Sequence, residues 1–373
     1  MYHTKAILKG DEKMSFIFGV IAFVILLPII VFVHEFGHFL FARLNGVRVE
    51  SFSIGFGKSF YSWTDKRGTV WKLCIIPLGG YVKMLGQSDT PETAEEKKNA
   101  ESKLSATEKK QSFEFKKRYQ KASIVVAGPL FNFIFGFIVF FMLFIFRGVP
   151  LTPSVVMDVQ KDSGAYVAGI KSGDTILSIN DVEIKRPQQI AKIVQAFDGK
   201  VFDIKLKRDD KTLTVHATPT RQGEKYILGV SYSSEFNSYE PVGVLRAISL
   251  SYETISGIVC ETIKSLWEII AGTRSSNELG GMISIAKVGG NALSSGFYSF
   301  MYLIALISVS LGLFNIFPIP VLDGGYLFIY LIEAIIRRDI PEKVKEKMFF
   351  VGFMFIIFLL LLSNVNDIIR IIK

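Results

Sequence analysis

Four long stretches of the chain carry no charged residue and are almost wholly apolar. They cover residues 14–33, 122–146, 297–322 and 348–366. A helix needs roughly 20 apolar residues to cross the hydrocarbon core of a bilayer, so each stretch is long enough to span a membrane. With their flanking residues they predict transmembrane helices over 14–44, 119–147 and 346–366, and a broken third segment over 297–325. The first stretch is too long for a signal peptide and lacks a small-residue cleavage site.

The regions between the predicted spans have other patterns. Residues 45–86 read as β-hairpins with glycines at the turns, which predicts a membrane-associated β segment. Residues 87–118 are a charged loop, in which 87–110 is either mobile or a charged surface helix. Residues 150–220 predict a separate αβ domain, because short apolar strands flank one helical stretch. Within it, Gly164 to Asp174 followed by Ile176, Ile179 and Asn180 resembles a PDZ domain, the alternative being a spacer domain without a ligand.

Residues 241–271 show apolar residues at helical spacing on one face and charged residues on the other. Five charges make this segment a poor spanning helix. The separation of its faces suits a helix that lies in the outer membrane interface, with Trp267 as an anchor. The alternative is that the apolar stripe packs on the PDZ-like domain.

Composition and charge agree with a membrane protein. The chain is 50% hydrophobic with a mean hydropathy of +0.37, and its 33 Phe exclude a disordered or collagen-like chain. The net charge of +9 reflects basic loops after the first and third spans, so it does not call for a nucleic-acid partner. Positive loops stay in the cytoplasm, which places Cys74 inside and both termini, the PDZ-like domain and Cys260 outside. The predicted fold is a polytopic α-helical membrane protein with four transmembrane helices, the β segment and one extracytoplasmic PDZ-like αβ domain.

The first span runs into His34, Glu35, Phe36, Gly37 and His38, which is an HExxH motif. Histidines four residues apart share one helix face, so both imidazoles can bind one metal, and two neutral nitrogens favour zinc or a similar borderline cation. Glu35 stands beside the first ligand, where a general base for water is needed. These groups are costly at membrane depth unless they are paired or bound, which argues against a purely structural role.

A catalytic zinc takes three protein ligands and keeps one position open. His3 and His216 fall outside in the predicted topology, so the third ligand must be an acid near the cytoplasmic end of another span. Asp323 meets this condition, because two prolines break the helix just before it and two glycines after it permit a turn. Unwound backbone within a membrane is tolerated where it lines a cavity. We therefore expect one Zn²⁺ per chain, held by His34, His38 and Asp323.

Three motifs together resemble those of the site-2 protease family of intramembrane zinc metalloproteases, with the bacterial regulator-of-sigma-E protease as the nearest type. They are HEFGH in the first span, GPLFN at 128–132 and NIFPIPVLDGG at 315–325. The resemblance implies that Glu35 activates water at a zinc held by His34, His38 and Asp323. It also implies that Asn132 and Asn315 hold substrate backbone or the developing oxyanion, and that the β segment pairs with an unwound substrate.

The function implied by this resemblance is cleavage within the transmembrane segments of pre-trimmed single-span proteins, such as anti-sigma factors or signal-peptide remnants. The enzyme would lie in the bacterial inner membrane with its active site toward the cytoplasm. Its partners would be these substrates, the lipid bilayer and a peptide ligand of the PDZ-like domain. Familiar enterobacterial members carry two PDZ domains in tandem, whereas this chain has room for one. The alternatives are a metal transporter that uses HExxH as a transit site and an inactive PDZ-bearing membrane scaffold.

Overall fold

The computed structural model describes residues 2–86, 104–151, 154–184, 187–196, 199–209, 211–222, 225–232, 238–275 and 280–372. The chain divides into two compact units, Met1–Met142 with Ile248–Lys373 and Leu143–Ala247. Most of the segment 87–110, for which the sequence predicts a mobile loop or a charged helix, lies outside the described residues. Only its end is described, and there residues 106–111 are helical.

Ten helices and twelve strands occur in the described part of the chain. The helices are α1 (Tyr2–Leu44), α2 (Ala106–Gln111), α3 (Arg118–Arg147), α4 (Gly164–Val167), α5 (Pro187–Ala196), α6 (Val244–Ile270), α7 (Met282–Ser294), α8 (Phe297–Ile316), α9 (Asp323–Ile336) and α10 (Glu342–Ile372). The strands are β1 (Val49–Thr64), β2 (Val70–Met84), β3 (Val149–Leu151), β4 (Val156–Val159), β5 (Thr175–Ile179), β6 (Val182–Glu183), β7 (Phe202–Arg208), β8 (Lys211–Ala217), β9 (Thr220–Gln222), β10 (Lys225–Ile227), β11 (Val230–Tyr232) and β12 (Ser238–Glu240).

Four described helices of the first unit are long and apolar enough to cross a bilayer. They are α1 over Ile17–Leu44, α3 over Arg118–Arg147, α8 over Phe297–Ile316 and α10 over Glu342–Arg370. These are the four regions that the hydrophobic pattern predicts, and the chain is accordingly a membrane protein. The first helix begins at Tyr2, well before the predicted start at residue 14. Helix α7, between α6 and α8, was not predicted.

The third predicted segment is two helices joined by an extended link. Helix α8 ends at Ile316, and Asp323 begins α9 rather than ending the span. Two prolines in the link prevent a continuous helix. Val321 has φ 87°, a left-handed conformation that costs a β-branched residue about 1–3 kcal/mol. A side chain at Gly324 would lie 2.1 Å from the Ile316 carbonyl oxygen, so the chain returns close to the end of α8 before α9 starts.

Strands β1 and β2 are long, and each bends, so that they pair with each other twice. Residues 51–54 of β1 lie between residues 80–83 of β2 on one side and residues 70–73 on the other, and residues 61–64 form the far edge. The two strands therefore form a small sheet of four segments in the order 80–83, 51–54, 70–73 and 61–64. Within the described residues, no further strand pairs with the outer edge of the segment 80–84.

The turn between β1 and β2 is fixed to the end of α1 by Asp65. Its carboxylate pairs with Arg43 and accepts hydrogen bonds from the backbone N–H of Arg67 at 2.8 Å and of Thr69 at 3.1 Å. Trp71 Nε1 donates a further bond at 3.2 Å. Burial alone would raise the pKa of Asp65, but these donors together lower it to about 2. The carboxylate thus stays charged, and the β segment is held against α1.

Helix α7 is held by a buried acid from the last span. Asp367, which is 2% exposed, accepts hydrogen bonds from the backbone N–H of Gly281 at 3.0 Å and of Ser284 at 2.9 Å. It thereby caps a helix whose own first residues offer no capping side chain. On its other side α7 packs closely on α1, because a side chain at Gly19 would lie 3.0 Å from the Ala286 carbonyl oxygen.

The second unit is β-rich and extends beyond the predicted range of 150–220. Its main sheet has the order β6-β5-β7-β8, and its core is a cluster of buried apolar residues that includes Ile176, Phe202 and Leu206. Strand β11 pairs with β4 and β12 pairs with β3, so strands close to residue 240 complete the domain. The predicted end at residue 220 is wrong because the closing strands are only three residues long, too short for a pattern of apolar and polar residues to identify them.

Candidate active site

The three predicted ligands converge on one point in the first unit. Helix α1 supplies His34 and His38 from one face, and Asp323 comes from the first position of α9. His34 Nε2 lies 3.1 Å from Asp323 Oδ2, His38 Nε2 lies 3.5 Å from the same oxygen, and the two Nε2 atoms are 3.3 Å apart. The three atoms form a nearly equilateral triangle.

The size of this triangle fits a tetrahedral metal. Ligand atoms about 2.0–2.1 Å from a zinc ion in tetrahedral geometry are separated by about 3.3–3.4 Å, which is the middle of the observed range. Asp323 Oδ2 is buried and has no hydrogen-bond partner, although two imidazole nitrogens lie close to it. A cation within the triangle would satisfy all three atoms. The donor set of two imidazoles and one carboxylate therefore fits zinc and leaves a fourth position open.

The rings are oriented by helix α3, which packs behind them. His38 Nδ1 lies 2.9 Å from the backbone carbonyl oxygen of Ile124, which can only accept a hydrogen bond. The proton of His38 is therefore on Nδ1, and Nε2 presents its lone pair to the centre of the triangle. Between the histidines and α3 there is no room for a side chain, and Gly128 lies at that position.

Glu35 lies in the same cavity as the three ligands. This cavity has a volume of about 290 Å³ and is also lined by Gly80, Tyr81, Val82 and Met84 from the outer segment of β2. A side chain at Gly80 would meet Glu35 Cγ at 3.2 Å and the Ser53 carbonyl oxygen at 2.6 Å, so the strand passes directly beside the Glu35 side chain. The outer segment of β2 and the ligand triangle therefore share one cavity.

The two asparagines differ in position. Asn315 lines the cavity, and its amide nitrogen donates to the Leu311 carbonyl oxygen at 3.1 Å. Asn132 is fully buried, and its amide nitrogen lies 3.4 Å from His34 Nδ1, behind the ring rather than in front of it. Asn315 thus faces the cavity, whereas Asn132 contacts the back of the His34 ring.

Sequence reasoning did not identify the contacts of α3 with the two histidines or the two tyrosines that line the cavity. Tyr326 and Tyr330, one and two turns into α9, also line the cavity. The spacing of Ile124, Gly128 and Asn132 was a usable signal, since residues four apart repeat on one helix face and match the spacing of His34 and His38. The sequence does not show that this face of α3 packs against the histidine face of α1.

We expect Gly128→Ala to empty the metal site. The new methyl group would lie 2.3 Å from His38 Nε2 and 3.0 Å from His34 Cε1, so the rings would have to leave the triangle. Elemental analysis of the purified protein should show a large loss of zinc. Gly257→Ala in α6 is the matched control, because a methyl group there meets nothing within 4 Å. Full zinc content in Gly128→Ala would contradict the packing described above.

The site combines the two histidines of an HExxH motif, one carboxylate as the third ligand and a neighbouring glutamate, and it lies among apolar helices. This combination is typical of membrane-embedded metalloproteases. The model of the family described as Peptidase family M50 matches residues 22–359. The chain therefore belongs to Peptidase family M50, the site-2 protease family that its motifs resemble.

Similar proteins from several bacteria cover nearly the whole chain, and each is named "Putative zinc metalloprotease". The one from Mesorhizobium japonicum is 35% identical over 92% of this chain and 96% of its own length. Those from Rickettsia conorii and Campylobacter jejuni are each 33% identical over 94% of this chain, and over 98% and 94% of their own lengths. These similarities support a metalloprotease of the site-2 type.

Among solved structures, the PDZ domain of the SdrC-like protein from Listeria innocua matches 22% of this chain and 96% of that domain. The sequence identity is 20% and the TM-score is 0.21. At that score the likeness carries no further conclusion.

Proposed function

We propose that this protein is an intramembrane zinc metalloendopeptidase that hydrolyses peptide bonds within transmembrane segments. The observation that carries the proposal is the cavity in which the ligand triangle, Glu35 and the outer segment of β2 meet. His34 lies nine residues before Arg43 at the end of α1, a distance of about 14 Å along a helix. A peptide bond that reaches this cavity belongs to a segment that has entered the membrane.

The chemistry follows from the groups in the cavity. His34, His38 and Asp323 would hold a zinc ion, which would polarise the substrate carbonyl and lower the pKa of a water toward about 7. Glu35 accepts the proton of that water as it attacks, and returns the proton to the leaving amine. The side chain of Asn315 is available to hold the substrate carbonyl or the oxyanion once its bond to Leu311 is released.

The outer segment of β2 supplies the means to open a substrate helix. The peptide groups of a helix are bonded to one another, and breaking those bonds in lipid costs several kcal/mol per unsatisfied group. An extended substrate that lies beside Gly80, Tyr81 and Val82 would recover backbone hydrogen bonds, as in strand addition to other sheets. It would then pass beside Glu35 in an extended conformation. Pre-trimmed single-span proteins, such as anti-sigma factors and signal-peptide remnants, are the expected substrates.

Cleavage of a purified single-span protein in detergent tests the function directly. The zinc-loaded protein should produce two fragments whose masses place the cut within the apolar segment, and a zinc chelator should stop the reaction. A matched substrate with a soluble helix in place of the apolar one should resist. A zinc-loaded protein that cuts none of several single-span substrates, but moves metal across vesicles, would favour the transporter instead.

The proposed topology places the loop between α1 and α3 in the cytoplasm of a bacterial inner membrane, and the second unit outside. Cys74 is 8% exposed and a poor probe, whereas Cys260 is exposed. We expect a membrane-impermeant thiol reagent to label Cys260 only from the outer face. In a Cys260→Ser background, the exposed position of Thr107→Cys should be labelled only from the inner face. Labelling of both positions from one face would contradict the four-span arrangement.

The β-rich second unit is proposed to act as a peptide sensor or size filter outside the membrane rather than in the chemistry. The domain can be removed at its paired strands β3 and β12, because their ends lie side by side. The two strands are antiparallel, with Val149 opposite Glu240 and Leu151 opposite Ser238. Excision of residues 152–237 with a short glycine linker should leave zinc content and cleavage of short substrates intact, and should admit longer ones. Excision of 150–220 would instead remove β4 and most of β3, so that β11 and β12 would lose the strands they pair with. Loss of short-substrate cleavage with zinc retained would contradict the filter role.

Helix α6 is proposed to contact the lipid surface. Within the first unit, its apolar residues Tyr252 and Trp267 are 68% and 67% exposed. An exposed tyrosine and tryptophan on the apolar face of a two-faced helix are typical of a membrane interface.

A further inference from the structure

Asn132 lies against a metal ligand but away from the cavity that would hold a substrate. Its side chain is fully buried in the first unit, and its amide nitrogen is 3.4 Å from Nδ1 of His34. Its Oδ1 atom is buried and has no hydrogen-bond partner. A fully buried amide with an unsatisfied oxygen costs free energy, so this arrangement requires an explanation.

The position of the proton on the His34 ring determines whether the nitrogen or the oxygen of the Asn132 amide should face Nδ1. Nε2 of His34 faces Asp323 Oδ2 at 3.1 Å and is the atom that would bind the metal. When Nε2 gives its lone pair to a cation, the proton of the neutral ring is on Nδ1, which then needs an acceptor. An amide nitrogen cannot accept. A rotation of the amide by 180° about its Cβ–Cγ bond exchanges its two ends and brings Oδ1 to Nδ1.

We propose that Asn132 is a positioning residue for the metal site: its Oδ1 accepts the Nδ1 proton of His34 and so aims Nε2 at the cation. This inference rests on the proposed zinc site. The opposite histidine shows the same arrangement already formed, because His38 Nδ1 lies 2.9 Å from the Ile124 carbonyl oxygen. Metal-binding histidines commonly donate their second N–H to such an oxygen, which fixes the tautomer and the ring orientation.

Helix α3 therefore supplies an acceptor to each histidine from one face. Ile124, Gly128 and Asn132 follow at intervals of four, and the histidines they contact are also four apart. Gly128 makes the close approach possible, since a side chain there would collide with His38 Nε2 at 2.3 Å. The two acceptors lie on either side of Gly128, a backbone carbonyl for His38 and a side-chain amide for His34.

Helix α8 fixes the position of Asn132 from behind. Ser308 Oγ donates to the backbone carbonyl oxygen of Asn132 at 3.2 Å. Gly312 allows α8 to approach so closely that a side chain there would lie 3.1 Å from Asn132 Cβ. The amide is thus held on a rigid pair of helices, where it cannot swing into the cavity to reach a substrate.

Zinc affinity, measured by competition with a chelator in detergent, tests this role independently of proteolysis. Asn132→Leu has a similar volume and no acceptor, and it should bind zinc about 10- to 100-fold more weakly. Asn132→Asp keeps an acceptor at the same position and should restore the affinity to within a few-fold of the wild type. Asn291→Leu, the same substitution at an exposed position on α7, should leave the affinity unchanged.

Each result bears on a different claim. Wild-type affinity in Asn132→Leu would overturn the inference, and lost cleavage with zinc intact would instead favour a role in substrate binding. Weak binding in both Asn132→Leu and Asn132→Asp would also overturn it, because the need would then be for packing rather than for an acceptor. A wild-type protein that binds no zinc at all would contradict the proposed function itself.

Discussion

Replacing Glu35 with glutamine should abolish peptide-bond cleavage and leave zinc bound. Glutamine keeps the size and shape of the side chain but cannot accept a proton from water. The ligand triangle of His34, His38 and Asp323 does not include Glu35, so the metal keeps all of its protein ligands. Loss of a positioned general base typically lowers the rate by about 10²–10⁴-fold. Cleavage of a single-span substrate, followed on a gel alongside elemental analysis, measures both properties.

The matched control is Glu346→Gln, the same substitution at an exposed position on α10. It should cleave at the wild-type rate. Binding of the substrate to Glu35→Gln should remain, since the β edge and the cavity are unchanged. Equal cleavage by Glu35→Gln and the wild type would contradict the mechanism. This variant also separates the alternatives, because a transporter would be affected in metal flux and an inactive scaffold would not be affected at all.

Much of the site could be predicted because its determinants are local. The spacing of His34 and His38 within one helix fixes their common face whatever the rest of the chain does. Asp323 could be predicted as the third ligand because two prolines just before it break the helix. The four spans were predictable for a similar reason, since length and hydropathy alone decide whether a helix can cross a bilayer.

What the sequence left open depends on contacts between distant segments. Asn132 carries no sign that it faces His34, because that depends on how α3 packs against α1. The double pairing of β1 and β2 places residues 80–84 beside Glu35, and no periodicity in either strand reports which segment lies at the edge. Capping of α7 by Asp367 joins residues 86 positions apart in the sequence. These features determine the surroundings of the metal, whereas the ligands themselves follow from local patterns.

Asp323→Ala should remove both the zinc and the stability that zinc confers. A ligand that binds only the folded protein stabilises it by about 2.7 kcal/mol when its concentration is 100 times its dissociation constant. In the wild type, zinc should therefore raise the melting temperature of the metal-stripped protein. In Asp323→Ala only two ligands of the triangle remain, so zinc should no longer raise it and cleavage should be lost.

Asp367→Ala is the matched control, since Asp367 is also a buried aspartate but binds the backbone of α7 instead of lining the triangle. Loss of that cap should lower the stability by about 0.5–2 kcal/mol with or without zinc. The increase in melting temperature on addition of zinc should be the same as in the wild type. If zinc instead stabilises Asp323→Ala as much as the wild type, then Asp323 is not a ligand, and another acid must complete the site.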